Sequence, residues 1–316
     1  MVGWSKSNEN LNQFDFAFAG GASGFITRAI CQPLDVLKIR FQLQVEPISH
    51  RAIHNSKYRS IYQAVGLIVK EEGVKAFWKG HVPAQWLSIS YGIAQFWTFE
   101  VLSRNVHKLT NNSNNVKPVI NFACGSIAGS VATVVSFPFD VVRTRFVAQS
   151  EQRKVYHGMV AACREICAKE GPVVLFRGLW PTVLQIGPHA GAQFMCYKLF
   201  DDFYKRIIKA ENTTLSSSLF AGSLAGLCAK AFIYPFDLVK KRLQVQGFHH
   251  ARKHFGQTFH CEGLIDCFIR IYKIEGIPGY FKGLYPSLIK AVCATALHFS
   301  SYEMVCKLLV VLKETH

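Results

Sequence analysis

The sequence predicts an all-α membrane protein: six transmembrane helices in three pseudosymmetric repeats, each with a short amphipathic helix of its own. Three observations lead there. The stretch 33-PLDVLKIR-40 returns as 138-PFDVVRTR-145 and 235-PFDLVKKR-242. A second motif follows each copy: 72-EGVKAFWKG-80, 170-EGPVVLFRG-178 and 275-EGIPGYFKG-283. Half of the 316 residues are hydrophobic and only 18% are charged, few for a soluble domain. The prolines stand 105 and 97 residues apart, and a glycine pair (Gly20/Gly24, Gly125/Gly129, Gly222/Gly226) opens thirteen residues before each. One unit of about 100 residues is written three times, over 1–110, 111–212 and 213–316, as a single structural domain.

Each element follows from its local pattern. The first apolar stretch runs from about Phe14 to Pro33 and continues as helix to about Leu43, with Asp15 and Arg28 as its charges before the proline. After a polar loop at 46–60, the segment 61-IYQAVGLIVKEEG-73 has the period of a short amphipathic helix ending at glycine, too short and charged to span. Val82 to Val106 forms the second stretch, and 110-TNNSNNVK-117 links it to the third, Val119 to Phe137, which continues to about Gln149. A short helix at Met159–Lys169 leads to the fourth stretch, Leu179 to Phe200, then a linker at 209–218. The fifth stretch covers Leu219 to Pro235 and continues to about Gln246. A third short helix at Leu264–Ile274 and the sixth stretch, Leu284 to Leu312, complete the pattern. Six helices of this length suit a bilayer; a soluble helical bundle needs more charge on its outer faces. Connections inside units are long and basic, whereas those between units are short and nearly uncharged. The three long loops therefore belong on one side, and both termini on the other with the linkers.

Composition narrows the function. The formal charge of +16 fits nucleic acid, anionic lipid or anionic ligands as partners, and the apolar content argues against the first. Ten cysteines are scattered without a framework and read as free thiols packed as small apolar groups. His260, Cys261 and Cys267 lack the paired spacing of a zinc site, and no cofactor is expected. No Ser/His/Asp order or paired-carboxylate site points to an enzyme. Residues 1–16 lack a basic segment followed by an apolar core, so no cleavable targeting segment is expected.

The repeated motif carries the chemistry. Proline within a spanning helix removes a backbone hydrogen bond and bends it. At about 100° per residue, Asp35 lies about 200° from Pro33 and Lys38 about 140°, one face, while Arg40 falls near about 340° on the other. Each bent helix thus presents one acid and one base inward: Asp35 and Lys38, Asp140 and Arg143, Asp237 and Lys240. The remaining bases, Arg40, Arg145 and Arg242, point to lipid headgroups or the loops. The inward ions pair either within a helix or as a ring between neighbours, three acids against three bases, able to open and close. Five residues before two of the prolines stand Arg28 and Lys230, inward cations without an evident acid, as expected of an anion site. Lys290 adds a third cation. Ser88, Tyr91, Gly92, Gln95, Gln185, His189 and His298 are further inward positions, available either to a ligand or to helix association. The glycine pairs read as GxxxG contacts for close helix approach.

The triplicated PxDxx[KR]x[KR] followed by EGxxxx[FW][KR]G resembles the mitochondrial carrier family over nearly the whole chain. That resemblance implies a transporter of the mitochondrial inner membrane, with a central site between two gates and the short helices on the matrix side. The acids and bases above would form the matrix gate, braced by glutamines at Gln42 and Gln244, with Val147 leaving the second brace vacant. The cytoplasmic gate motif is poorly kept, in 99-FEVLS-103, 197-YKLFD-201 and 302-YEMVC-306, and leaves Glu100 and Glu303. Leu87 replaces the arginine of ATP/ADP exchangers. The stretches 38-KIRFQLQ-44, 78-WKGHVPAQ-85, 143-RTRF-146 and 240-KKRLQVQGFHHARKHFGQ-257 are similar to members that carry thiamine pyrophosphate. The implied substrate is therefore thiamine pyrophosphate, with Arg28, Lys230, Lys290, Tyr91, Gln95, Gln185 and His189 as its contacts. A nucleotide is the implied counter-substrate, and the alternative cargo is another phosphorylated anion, a nucleotide or coenzyme A. A monomer binding cardiolipin, with termini facing the intermembrane space, completes the expectation.

Overall fold

The computed structural model describes residues 12–46, 56–109, 117–149, 155–208, 215–248 and 261–314. The loop and linker expectations at 47–55, 110–116, 209–214 and 249–260, the N-terminal expectation at 1–11, and the later part of the 240–257 stretch lie outside them. The described residues are helical, with no strand among them. They form α1 (Gln13–Leu43), α2 (Ile61–Glu72), α3 (His81–Leu109), α4 (Lys117–Ala148), α5 (Met159–Glu170), α6 (Leu179–Leu184), α7 (Ile186–Ile208), α8 (Leu215–Gln244), α9 (Leu264–Gly279) and α10 (Leu284–Glu314).

The spans are α1, α3, α4, α6 with α7, α8 and α10. The fourth is not one continuous helix, as its apolar run implied. Gln185 interrupts it, because Pro188 has no N–H to give the Leu184 carbonyl. Pro33, Pro138 and Pro235 lie inside α1, α4 and α8. The carbonyl that Pro33 leaves free, that of Ala29, accepts from Trp78 Nε1 at 3.1 Å.

Among the described residues, three stretches are long and apolar enough by composition to cross a membrane: Ile120–Ala148, Ser218–Gln244 and Leu284–Lys313. The other spans carry more polar groups, among them Arg28 and Asp35 on α1 and Gln85, Ser88 and Gln95 on α3. Phe25, Phe96, Phe122, Phe194, Phe232 and Leu308, one from each span, are all more than half exposed. An apolar surface of that kind matches lipid.

The most extensive helix contacts are α3 on α4, α7 on α8 and α10 on α1. Each repeat therefore docks its second span on the first span of the next, and α10 closes the circle on α1. The close faces are not the GxxxG glycines. A Cβ added at Gly20, Gly24, Gly125 or Gly226 meets nothing within 4 Å, and at Gly129 or Gly222 it meets only a tyrosine side chain, Tyr91 at 3.8 Å or Tyr197 at 4.0 Å. The buried stripe lies one residue earlier: Ala19 and Ser23, Cys124 and Ala128, Ala221 and Ala225. One residue turns the face by about 100°, which moves the contact from glycine to alanine, serine or cysteine.

At the end holding the short helices, Ala64 and Ile68 of α2, Ala162 and Ile166 of α5, and Cys267 and Ile271 of α9 are buried at equivalent i,i+4 positions. Both glycines of EGxxxx[FW][KR]G take positive φ. Gly73 and Gly171 cap α2 and α5, and Gly276 kinks α9. Gly80, Gly178 and Gly283 start the second spans, where an added Cβ would meet the carbonyls of Arg143 (3.0 Å), Lys240 (3.0 Å) and Lys38 (2.9 Å). Each is a close approach to the next repeat around the ring. Gly283→Ala is expected to lower the melting temperature in detergent by roughly 5 °C, from left-handed backbone strain and contact with Lys38 O and Tyr234 Oη. A melt within about 1 °C of the parent counts against this packing role.

Candidate functional site

The inward acids and bases meet as a ring between neighbours. Arg143 Nη2 on α4 lies 2.6 Å from Asp35 on α1, Lys240 on α8 lies 2.8 Å from Asp140 on α4, and Lys38 on α1 lies 3.2 Å from Asp237 on α8. Pairing within one helix is not what the chain adopts. Each base reaches the acid of the preceding repeat, so the three bent helices are tied in a cycle.

The ring does not balance to zero. Lys241 also binds Asp140 at 2.8 Å, and Lys290 on α10 binds Asp35 at 2.6 Å. Among the described residues, five bases face three acids. Lys290, expected as a third cation for the ligand, pairs with Asp35 here, because its position on α10 falls beside Asp35 on the adjoining α1. Lys241 stands in the run 240-KKR-242 at a position that the repeated PxDxx[KR]x[KR] spacing does not mark.

The braces differ in their bonds. Gln244 Nε2 donates to Asp140 Oδ2 (2.9 Å), and its Oε1 accepts from Lys241 (3.0 Å) and from Thr144 (2.7 Å). Gln42 is buried, but its amide bonds neither Lys38 nor Asp237. Tyr234 stands beside that pair, its ring 5.6 Å from Lys38 Nζ and its hydroxyl donating to Lys282 O at 2.9 Å. Val147, in place of the third glutamine, is buried in the apolar core.

A second charged layer lies beneath. Arg40, Arg145 and Arg242 do not face lipid headgroups or open loops: they are only 1%, 0% and 4% exposed. Arg40 makes a two-pronged bond to Glu72 (2.8 and 2.7 Å), Arg145 binds Glu170 likewise (2.5 and 2.9 Å), and Arg242 binds both oxygens of Glu275. Lys79 and Lys282 join Glu72 and Glu275, and Arg177 lies 3.7 Å from Glu170. The repeated EGxxxx[FW][KR]G is therefore an ionic clamp for the last base of PxDxx[KR]x[KR]. Burial pushes the Tyr58 phenol up to about 12 against the pull of Arg40, which donates to its oxygen at 3.1 Å. Burial likewise opposes the charge of Glu72, but Arg40 and Lys79 hold its carboxyl below the usual range.

Above the ring, a cavity of about 540 Å³ between α1 and α10 is lined by Arg28, Cys31, Asp35, Lys290, Thr295 and His298, among others. Arg28 donates to Ala84 O at 3.0 Å and has no carboxylate partner among the described residues. Lys230 makes no ion pair or hydrogen bond among them either; it lies within electrostatic reach of Lys38, Lys290, Asp237 and Asp35. Tyr91, Gln95, Gln185 and His189 do not line this cavity; the Tyr91 hydroxyl leans toward Gly129 of α4.

Among the described residues, the other end holds no such ring. Glu100 pairs along its own helix with Arg104 (2.6 Å), and Asp201 with Lys205 (2.6 Å). Glu303 is exposed. Among the described residues there, Lys313 to Asp15 (2.5 Å) ties α10 to α1. The charge ring closes one end, and the cavity above it holds cations.

An outwardly apolar ring of helices with a ring of ion pairs beneath a cationic cavity fits a membrane transporter. The family model for mitochondrial carrier proteins matches three times, over residues 10–109, 114–207 and 211–312, and the chain belongs to that family, as a protein of a mitochondrial membrane. It is 47% identical over 311 residues to the mitochondrial thiamine pyrophosphate carrier of Homo sapiens, covering 97% of this chain and 96% of the relative. The protein of that name from Bos taurus is 45% identical over 310 residues, covering 97% and 96%. The mitochondrial thiamine pyrophosphate carrier 1 of Coccidioides immitis (strain RS) is 35% identical over 312 residues, covering 98% and 97%.

Proposed function

We propose that the chain imports thiamine pyrophosphate across the mitochondrial inner membrane into the matrix, in exchange for nucleotide, by alternating access. The observation that carries this reading is the pair Arg28 and Lys230, cations without an acid partner over a closed charge ring. Cations at that depth in a membrane are costly, and an anionic cargo relieves the cost. The names of the relatives support the particular anion.

The diphosphate takes charge-assisted hydrogen bonds from Arg28 and Lys230. Lys290 joins them by exchanging Asp35 for a phosphate oxygen, which loosens the ring as the cargo arrives. Tyr91 meets the thiazolium by cation–π contact, and Gln95, Gln185 and His189 hold the ring nitrogens of the aminopyrimidine. Opening the ring releases the cargo on its far side, while Glu100 and Glu303 belong to a weak gate at the other end. The protein works as a monomer with its termini in the intermembrane space and cardiolipin around its matrix end.

Uptake of labelled thiamine pyrophosphate into proteoliposomes tests the reading. Uptake is expected to require preloaded nucleotide, and equal uptake into empty vesicles argues against exchange. Arg28→Ala is expected to reduce uptake at least about tenfold, the loss of one charge-assisted contact. Undiminished uptake removes Arg28 from the site.

A further inference from the structure

We propose that His298 recognises the amino-bearing heterocycle of the cargo, through an Nε2 lone pair whose availability Ser23 determines. This rests on the thiamine pyrophosphate reading and extends it to a residue on α10.

The argument begins with one proton. Ser23 is fully buried on α1, and its Oγ lies 3.0 Å from Gly20 O and 3.3 Å from His298 Nδ1. A hydroxyl has one hydrogen to give. The carbonyl can only accept, and it has the shorter contact, so the Ser23 proton goes to Gly20 O. Ser23 Oγ must then accept from His298, which places the imidazole hydrogen on Nδ1. In the neutral ring, Nε2 is left as an acceptor. Among the described residues nothing bonds that nitrogen, and His298 lines the cavity.

Among the described residues the cavity's other hydroxyl acceptors are Thr27, buried without a hydrogen-bond partner, and Thr295. Arg28 and Lys290 only donate. The Asp35 carboxylate is held by Arg143 and Lys290, and the Thr295 hydroxyl gives its proton to Ala291 O at 2.9 Å while its oxygen can still accept. A ligand with a phosphate at one end and an amino group at the other finds cations for the first and His298 for the second. Lys290, Ala294 and His298 follow one face of α10 at i,i+4 spacing. Eight residues separate the two functional ends, about 12 Å along the axis. That span accommodates a diphosphate and a heterocycle joined through a second ring. Phe299, about half exposed on the same wall, offers an aromatic face to the heterocycle.

The test compares thiamine pyrophosphate with oxythiamine pyrophosphate, in which an oxygen replaces the amino group, and uses inorganic pyrophosphate as an inhibitor that reads the phosphate end alone. Parent protein is expected to prefer the amino compound at least about tenfold. His298→Ala is expected to raise the KM for thiamine pyrophosphate about tenfold and shrink that preference to within about twofold, with inhibition by pyrophosphate unchanged. His298→Gln, which restores an acceptor oxygen near the Nε2 position, recovers most of the preference. Should His298→Ala fail to fold, Ser23→Ala reads the same point: freeing the tautomer lowers the preference and leaves pyrophosphate inhibition intact. A His298→Ala or Ser23→Ala protein with the parent preference overturns the assignment while leaving the substrate reading in place. Parent protein that takes up no thiamine pyrophosphate removes the substrate reading and the His298 assignment together.

Discussion

Asp140→Ala is expected to reduce uptake into proteoliposomes by more than about a hundredfold. Asp140 accepts from Lys240, Lys241 and Gln244, at 2.8, 2.8 and 2.9 Å, and is nearly inaccessible to solvent. Removing it leaves two ammonium groups on one turn of α8 without a carboxylate. Breaking a buried pair by deleting one partner costs about 3–5 kcal/mol. At about 1.4 kcal/mol per factor of ten, the ring would close at least a hundredfold less often. A transporter that cannot reclose one end cannot complete its cycle. Asp237→Ala should be milder, since Asp237 has a longer 3.2 Å pair and a side chain 26% exposed. Uptake by Asp140→Ala within about threefold of the parent, or a larger loss at Asp237, contradicts the lock.

Arg145→Leu is expected to lower the melting temperature in detergent by roughly 10 °C, on about 3–5 kcal/mol for a broken buried pair. Arg145 has no exposed surface. It bonds Glu170 twice, Tyr156 Oη (3.2 Å), and the carbonyls of Gln244 (3.3 Å) and Gln246 (3.2 Å). One guanidinium thus ties α4 to α5 of its own repeat and to the end of α8 in the next. Leucine leaves the Glu170 carboxylate with Arg177 alone, at 3.7 Å. Arg145→Lys should recover less than half of the loss, because a point charge cannot make the two-pronged bond and still reach both carbonyls. Full recovery by lysine would show that charge alone matters there.

The two sites differ in how far their local sequence foretold them. Asp140 and Arg143 share a face by spacing alone, so their inward direction was legible. Which base meets which acid was not: the partner of Asp140 is 100 residues away, and only the order of helices around the bundle chooses Lys240 over Arg143. The helix period sets Arg145 opposite the acid and so predicts a place facing headgroups or loops, whereas the structure buries it. Its partner Glu170 sits in a separate motif whose conserved spacing within this chain was visible but whose destination was not. The glycine pairs show the same limit, since the close face lies one residue earlier, on alanine and serine.

The chain's own pattern determined three repeats, helical spans bent at proline, and the placement of acids and bases on one face, because helix period and proline geometry act over a few residues. Assembly decided the rest. Lys290 gained an acid, the buried arginines gained the glutamates of their own repeats, and Ser23 came to face His298 across two helices. Charges and hydrogen-bond donors choose partners by distance in space, and only the closed circle of α1 against α10 brings the ends of the sequence within that distance.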